Sequence, residues 1–191
     1  MKDDEKKLPA YDLKDLVILI AEKHPTMRTI LREVLHKFGV RKLYEASTPE
    51  SGFEKFCDAN PDIAFVDWGP EFDGMELLEK IRKDKRSPNR MVPVIIVTGY
   101  TEAHRVYEAR DAGMTEFLAQ PVSAEAIYKH MVKMIENARK FIKTDDYFGP
   151  DRRRHKGEYK GIERRKEVQA SDGKPNGQKP KADSEGNESS S

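Results

Sequence analysis

The sequence of 191 residues is poor in apolar material and almost empty of cysteine. Hydrophobic residues make up 37% and charged residues 36%, whereas an average globular chain has roughly 45–50% and 25%. The longest uninterrupted apolar run is Leu16 to Ala21, far short of the ~20 residues that a membrane-spanning helix takes. No membrane span is expected. The first residues, MKDDEKKLPAYDLKD, carry charge and no apolar core, so no signal peptide is read there and a cytoplasmic location is expected. The lone Cys57 excludes an intrachain disulfide framework and a cysteine zinc site. A glycine-rich phosphate loop, a nucleophile elbow and a histidine-rich metal cluster are all missing. The chain is therefore not read as an independent enzyme.

What is present is unevenly spread. Residues 151–166 hold 8 basic and 3 acidic side chains, net +5. Residues 167–191 hold 3 and 5, with one valine as the only large apolar residue. Such a segment buries too little surface to offset chain entropy and is expected to be disordered. The chain divides into a charged N-terminal extension (1–13), a folded unit (14–143), a basic segment (144–166) and a disordered tail (167–191).

Within the folded unit, short apolar runs alternate with amphipathic stretches. Leu16–Ile20, Leu43–Ala46, Ile63–Val66, Val92–Val97 and Phe117–Ala119 read as strands. Met27, Ile30, Leu31, Val34, Leu35 and Phe38 have the spacing of one helix face, stopped at Gly39. Helices also follow from Ser47-Thr48-Pro49-Glu50, around Met75–Ile81, over 102–112, and from the cap Ser123. Five strands alternating with five helices give an α/β fold with a doubly wound parallel (βα)5 sheet. In such sheets the site lies at the carboxyl ends of the strands. Those ends are Glu22-Lys23, Asp67, Thr98 and Gln120-Pro121.

These positions carry a likeness. AEKHPTMRTILREVLHKFGV, FVDWGPEFDGMELLEKIR, PVIIVTGYTE and AGMTEFLAQPVSAEAIYKHM resemble, in order and spacing, the motifs of response-regulator receiver domains, the CheY-like family. The resemblance covers about residues 14–142. It implies a flavodoxin-like strand order 2-1-3-4-5, a phosphoacceptor at Asp67, a switch pair at Thr98 and Phe117, and a cis bond before Pro121. It further implies a bacterial single-domain regulator in two-component phosphorelay signalling. Its partners would be a histidine kinase or phosphotransfer protein and a downstream protein target.

Three departures from the family pattern bear on the site. Glu22 fits the first place of the acidic pair that serves Mg²⁺, but Lys23 stands in the second, which ligates the metal directly. Gln120 replaces the lysine that pairs with the phosphoryl group. Pro70 follows Asp67 by three residues instead of four, which disturbs the carbonyl near Gly69. Glu22 and Asp67 are thus the remaining metal ligands, and Mg²⁺ binding is expected to be weak. Lys23, Gly69, Gln120 and Pro121 are expected to line the site, with Lys23 either paired with Asp67 or turned to solvent. A rival reading is a phosphorylation-independent pseudo-receiver adaptor.

The basic segment contains a repeat. Tyr147-Phe-Gly149-Pro-Asp151-Arg152-Arg153-Arg154 recurs twelve residues later as Tyr159-Lys-Gly161-Ile-Glu163-Arg164-Arg165-Lys166. Tyr147, Arg152, Arg153, Tyr159, Arg164 and Arg165 are candidate partner-binding residues. The acid in each copy favours a protein over a nucleic acid, which stays a third reading.

Overall fold

The computed structural model describes residues 11–137, 139–144, 147–152 and 166–167. Apolar runs rich in Val and Ile form the strands β1 (Val17–Ala21), β3 (Ile63–Asp67) and β4 (Val94–Thr98), and the more polar KLYEA and EFLA form β2 (Lys42–Ala46) and β5 (Glu116–Ala119). They alternate with α1 (Pro25–Lys37), α2 (Pro49–Ala59), α3 (Gly74–Lys83), α4 (Ala103–Asp111) and α5 (Ala124–Glu136). All five strands are parallel, in the order β2-β1-β3-β4-β5. The expected fold class and strand order are what the structure shows.

Alternation along each strand splits the core in two. Leu19, Ala64, Val66, Val94 and Ile96 face Phe53 and Phe56 of α2 and Leu77, Leu78 and Ile81 of α3. Ile18, Ile20, Phe65, Ile95 and Val97 face Leu31 and Leu35 of α1 and Ile127, Met131 and Met134 of α5. Helices cover both sheet faces, so the central strands β3 and β4 are buried at every position, whereas the edge strand β2 alternates. Helix starts follow local chemistry. Thr48 caps α2 through a reciprocal box with Ser51, Asp73 accepts from Met75 N and Glu76 N, and Ser123 caps α5. In α1 the buried stripe is Leu31 and Leu35, while Ile30 stands 42% exposed.

Both boundaries of the folded unit differ from the expected 14 and 143. Leu13 is buried at 1% exposure and belongs to the core on the α1/α5 side. Tyr11 donates its hydroxyl proton to Glu136. At the other end, β6 (Phe141–Lys143) and β7 (Phe148–Pro150) form an antiparallel hairpin, and β8 (Lys166–Glu167) pairs with the other edge of β6. Phe141, Ile142 and Tyr147 are buried. The hairpin closes over Arg82, whose guanidinium donates to the carbonyls of Gly113 and Arg90 and lies 5.1 Å from the centre of the Phe141 ring. Past residue 143 the chain is held by the Phe148 ring against Phe141 and Arg90 and by Arg152 on Asp111.

The basic segment is corrected accordingly. Tyr147 and Arg152 are used inside the chain: Arg152 stacks on Tyr147 and bonds Asp111. Arg153, Tyr159, Arg164 and Arg165 lie outside the described residues, as does the tail beyond 167.

Candidate functional site

The carboxyl edge of the sheet brings three strand ends together. Asp67 is the last residue of β3 and is 8% exposed. Thr98 is the last residue of β4 and is fully buried. Glu22 directly follows β1 and is 1% exposed. A pocket of about 210 Å³ opens there, lined by His24, Asp67, Gly69, Pro70, Glu71, Thr98, Gly99, Tyr100 and Gln120.

Each wall has a local cause. The two-residue turn Pro70-Glu71 is closed by reciprocal backbone bonds between Gly69 and Phe72. The chain then enters α3 at Gly74, where an added Cβ would lie 2.1 Å from the Asp67 carbonyl oxygen, so only glycine fits. The Thr98 hydroxyl donates to the Trp68 carbonyl at 2.6 Å and accepts from Tyr100 N at 3.1 Å. The Arg28 guanidinium holds the carbonyls of Glu22 and Lys23 at 2.7 and 2.9 Å, which fixes the loop after β1.

The Asp67 carboxyl is strongly perturbed. Burial, and then the neighbouring Glu22 carboxylate, push its pKa up to about 7, against the pull of the Trp68 N–H and of His24. Glu22 Oε1 accepts from His24 N at 2.8 Å, and Glu22 Oε2 is buried with no partner among the described residues.

The expected site residues do not all converge. Asp67, Thr98, Gly69 and Gln120 line the pocket. Lys23 does not; its side chain is exposed, so the inward pairing with Asp67 is replaced by the solvent-facing alternative. Pro121 follows Gln120 in a cis bond behind the pocket wall. Phe117 is half-buried against the core cluster that contains Trp68 and Phe72. The sequence places His24 beside the site as a solvated loop residue and offers no reading of Glu71 and Tyr100; all three line the pocket. Their signal was position: each lies within four residues of a strand end. Sequence reasoning also missed Arg105 of α4, which sits 4.6 Å from the Trp68 ring centre and 4.7 Å from that of Tyr100.

As a magnesium site the donor set is short. Among the described residues no three His, Cys, Asp or Glu side chains are placed to hold a metal ion. Two carboxylates are near one another, the third place is the exposed Lys23, and the Gly69 carbonyl already accepts from Phe72 N. A hard ion that wants near-octahedral oxygen coordination is poorly served.

Comparison with known proteins settles the family. The profile described as "Response regulator receiver domain" matches residues 18–132. The chain belongs to that family. It is 28% identical over 120 residues to "Chemotaxis protein CheY" of Pseudomonas aeruginosa, covering 62% of this chain and 95% of the relative. It is 27% identical over 124 residues to "Chemotaxis protein CheY-3" of Vibrio cholerae, covering 64% and 94%. Among solved structures, CheY4 of Vibrio cholerae aligns with a TM-score of 0.56 at 20% identity, over 61% of this chain and 95% of that one. A CheY-like receiver protein of Methanospirillum hungatei aligns with the same TM-score at 23% identity, over 63% and 94%. These structures share the fold. Membership places the chain among the response regulators of two-component signalling. The matched region takes up 94–95% of these relatives but only 62–64% of this chain. Among the described residues no helix is long and apolar enough to cross a membrane.

Proposed function

We propose that the protein is a response regulator whose receiver domain accepts a phosphoryl group on Asp67 and passes the signal on by binding a protein target. The observation that carries this is the convergence of the Asp67 carboxyl and the Thr98 hydroxyl on one pocket at the carboxyl edge of the sheet. An ionised carboxylate attacks the phosphoryl group of a donor and forms an acyl phosphate; the bond from that group to the donor breaks and the donor leaves with its electron pair. The new charge and acceptor oxygens draw a neighbouring hydroxyl donor. Thr98 is that donor. To turn, it gives up the Trp68 carbonyl, and with Phe117 it relays the change to the outer surface. Donors are a histidine kinase or a phosphotransfer protein. The chain is read as a binding module and not as an independent enzyme.

Mg²⁺ binding is weak in this reading, held by Glu22 and Asp67. Gln120 supplies a hydrogen bond but no charge to the phosphoryl oxygens. Intact mass after incubation with acetyl phosphate, with and without Mg²⁺, tests the proposal. A gain of one phosphoryl mass that disappears in Asp67→Asn supports it. An unchanged mass under saturating donor overturns it. The second reading, an adaptor that works without phosphorylation, is favoured by one arrangement: the Thr98 hydroxyl is already bonded at both ends, to Trp68 O and Tyr100 N. It predicts that Asp67→Asn still binds the target with wild-type affinity.

A further inference from the structure

The repeated segment outside the receiver site has a structural meaning that its first copy displays. Tyr147 is buried, and its hydroxyl donates to the Pro150 carbonyl at 2.7 Å. Gly149 lies on the turn between α4 and β5: a Cβ added to it would stand 2.8 Å from the Gly113 Cα and 2.5 Å from the Tyr147 hydroxyl oxygen. Arg152 stacks 3.8 Å from the Tyr147 ring centre and bonds Asp111 at 2.8 Å. The seat is matched from its own side. Gly113 has φ +98, and a Cβ there would lie 2.8 Å from the Phe148 carbonyl oxygen. Tyrosine, glycine and arginine each make a contact that their neighbours in the segment do not.

Those three residue types are what the second copy keeps: Tyr159, Gly161 and Arg164, with Glu163 in the place of Asp151. Two positions differ. Ile162 stands for Pro150, whose contribution to Tyr147 is a backbone carbonyl that any residue supplies. Lys160 stands for Phe148, whose ring packs on Phe141 at 5.8 Å and under Arg90 at 4.7 Å. The second copy thus retains the polar and steric determinants and loses one aromatic contact. Lys166 and Glu167 pair with the edge of β6 opposite β7, so the second copy takes the seat only when this two-residue pairing releases.

We propose that the Asp111–Gly113 corner is a docking seat for Tyr-x-Gly-x-acid-Arg segments, and that residues 159–164 are its second occupant, competing with 147–152. The first copy holds the seat in the undisturbed chain because Phe148 adds an aromatic contact. Displacing it hands the seat to the second copy and frees residues 147–152. The seat does not depend on whether Asp67 accepts phosphate.

Hydrogen exchange read by mass spectrometry on the full chain tests this, with wild type, Gly149→Val and Gly149→Val/Gly161→Val compared. In wild type, 147–152 is protected and 159–164 is not. In Gly149→Val, protection moves to 159–164 by ~10-fold or more while 111–115 stays protected. In the double variant 111–115 loses its protection. A synthetic peptide of residues 157–168 added to the double variant restores it, and the same peptide with Gly161→Val does not. The proposal falls if Gly149→Val leaves 147–152 seated, if it exposes 111–115 as fully as the double variant does, or if both copies are protected together in wild type. It falls equally if the peptide has no effect.

Discussion

The Thr98 hydroxyl is bonded to the carbonyl of Trp68, the residue after Asp67, at 2.6 Å. The end of β4 is thereby tied to the loop leaving β3, and the tie also receives the Tyr100 N–H. Thr98→Val keeps the shape and removes both bonds. A buried carbonyl and an amide then lose their partner, which costs about 1–3 kcal/mol. Urea unfolding of the variant should show a loss in that range. Trp68 is the only tryptophan of the chain, so the same variant should abolish the fluorescence change that acetyl phosphate produces in wild type. An unaltered response in Thr98→Val would remove the hydroxyl from the relay.

Asp67 makes stability depend on pH. Its folded pKa of about 7 lies above the ordinary 3.8, so between those values the native state binds the proton and the unfolded chain does not. Stability from this group is therefore greatest below about pH 4 and falls as pH rises through 7. Glu116 runs the other way in a different window. Burial works to raise it, but the nearby His130, hydrogen bonds from Lys133 and Arg139, and the charges of those two cations hold it at about 2. Its contribution is full above 4.5 and is lost as pH falls toward 2. Across pH 5.5 to 8 the slope thus belongs to Asp67. Asp67→Asn should be more stable than wild type at pH 8 by about 2 kcal/mol and should flatten the profile. Chemical unfolding at the two pH values measures both.

The five-strand core was legible because its signal is local: Leu16–Ile20, Ile63–Val66 and Val92–Val97 are apolar runs whose length decides their type. The site's edge followed from the polar residue after each run. The direction of Lys23 was not legible, since a long side chain beside a turn has solvent and the pocket equally within reach, and Arg28 decides the loop's path from a full helical turn away. The β6–β7 hairpin was hidden for a related reason. Phe141, Ile142, Tyr147 and Phe148 are interrupted by Lys143-Thr144-Asp145-Asp146, so no periodic pattern forms. Their burial depends on Arg82 and Gly113, which are distant in sequence.

Ending the chain at residue 138 should therefore cost far more than its match to the family profile suggests. Phe141, Ile142 and Tyr147 would lose their burial, at about 1.5–3 kcal/mol for a large apolar side chain, and the Arg82 guanidinium would lose the Phe141 ring. Ending it at residue 167 keeps the hairpin and the β8 pairing. Thermal unfolding should place the first truncation at least ~10 °C below the full chain, since several kcal/mol are lost and each is worth about 2–4 °C at this size. The second should match the full chain.

Lys23→Asp should tighten Mg²⁺ binding, and the reason is the gain of a ligand more than the loss of a cation. Lys23 is exposed and does not line the pocket, so its ammonium is largely screened from Asp67 by water. A carboxylate at position 23 adds an oxygen donor to Glu22 and Asp67, and Mg²⁺ sites depend on such donors. Lys23→Ala separates the two effects, because it removes the charge without adding a ligand. Titration followed by Trp68 fluorescence should show Lys23→Ala within about twofold of wild type and Lys23→Asp tighter by ~10-fold, or about 1.4 kcal/mol. A more tightly held Mg²⁺ offsets the neighbouring carboxylates and lowers the cost of ionising Asp67, so with Mg²⁺ present acetyl phosphate should label Lys23→Asp faster at pH 7. Gln120→Lys acts at the other end of the reaction by placing an ammonium near the phosphoryl oxygens. Its effect should therefore appear in the labelling rate and not in Mg²⁺ affinity, and the double variant should exceed either single one. If Lys23→Ala alone reproduces the gain of Lys23→Asp, the exposed ammonium does reach the site and the missing carboxylate is not what weakens it.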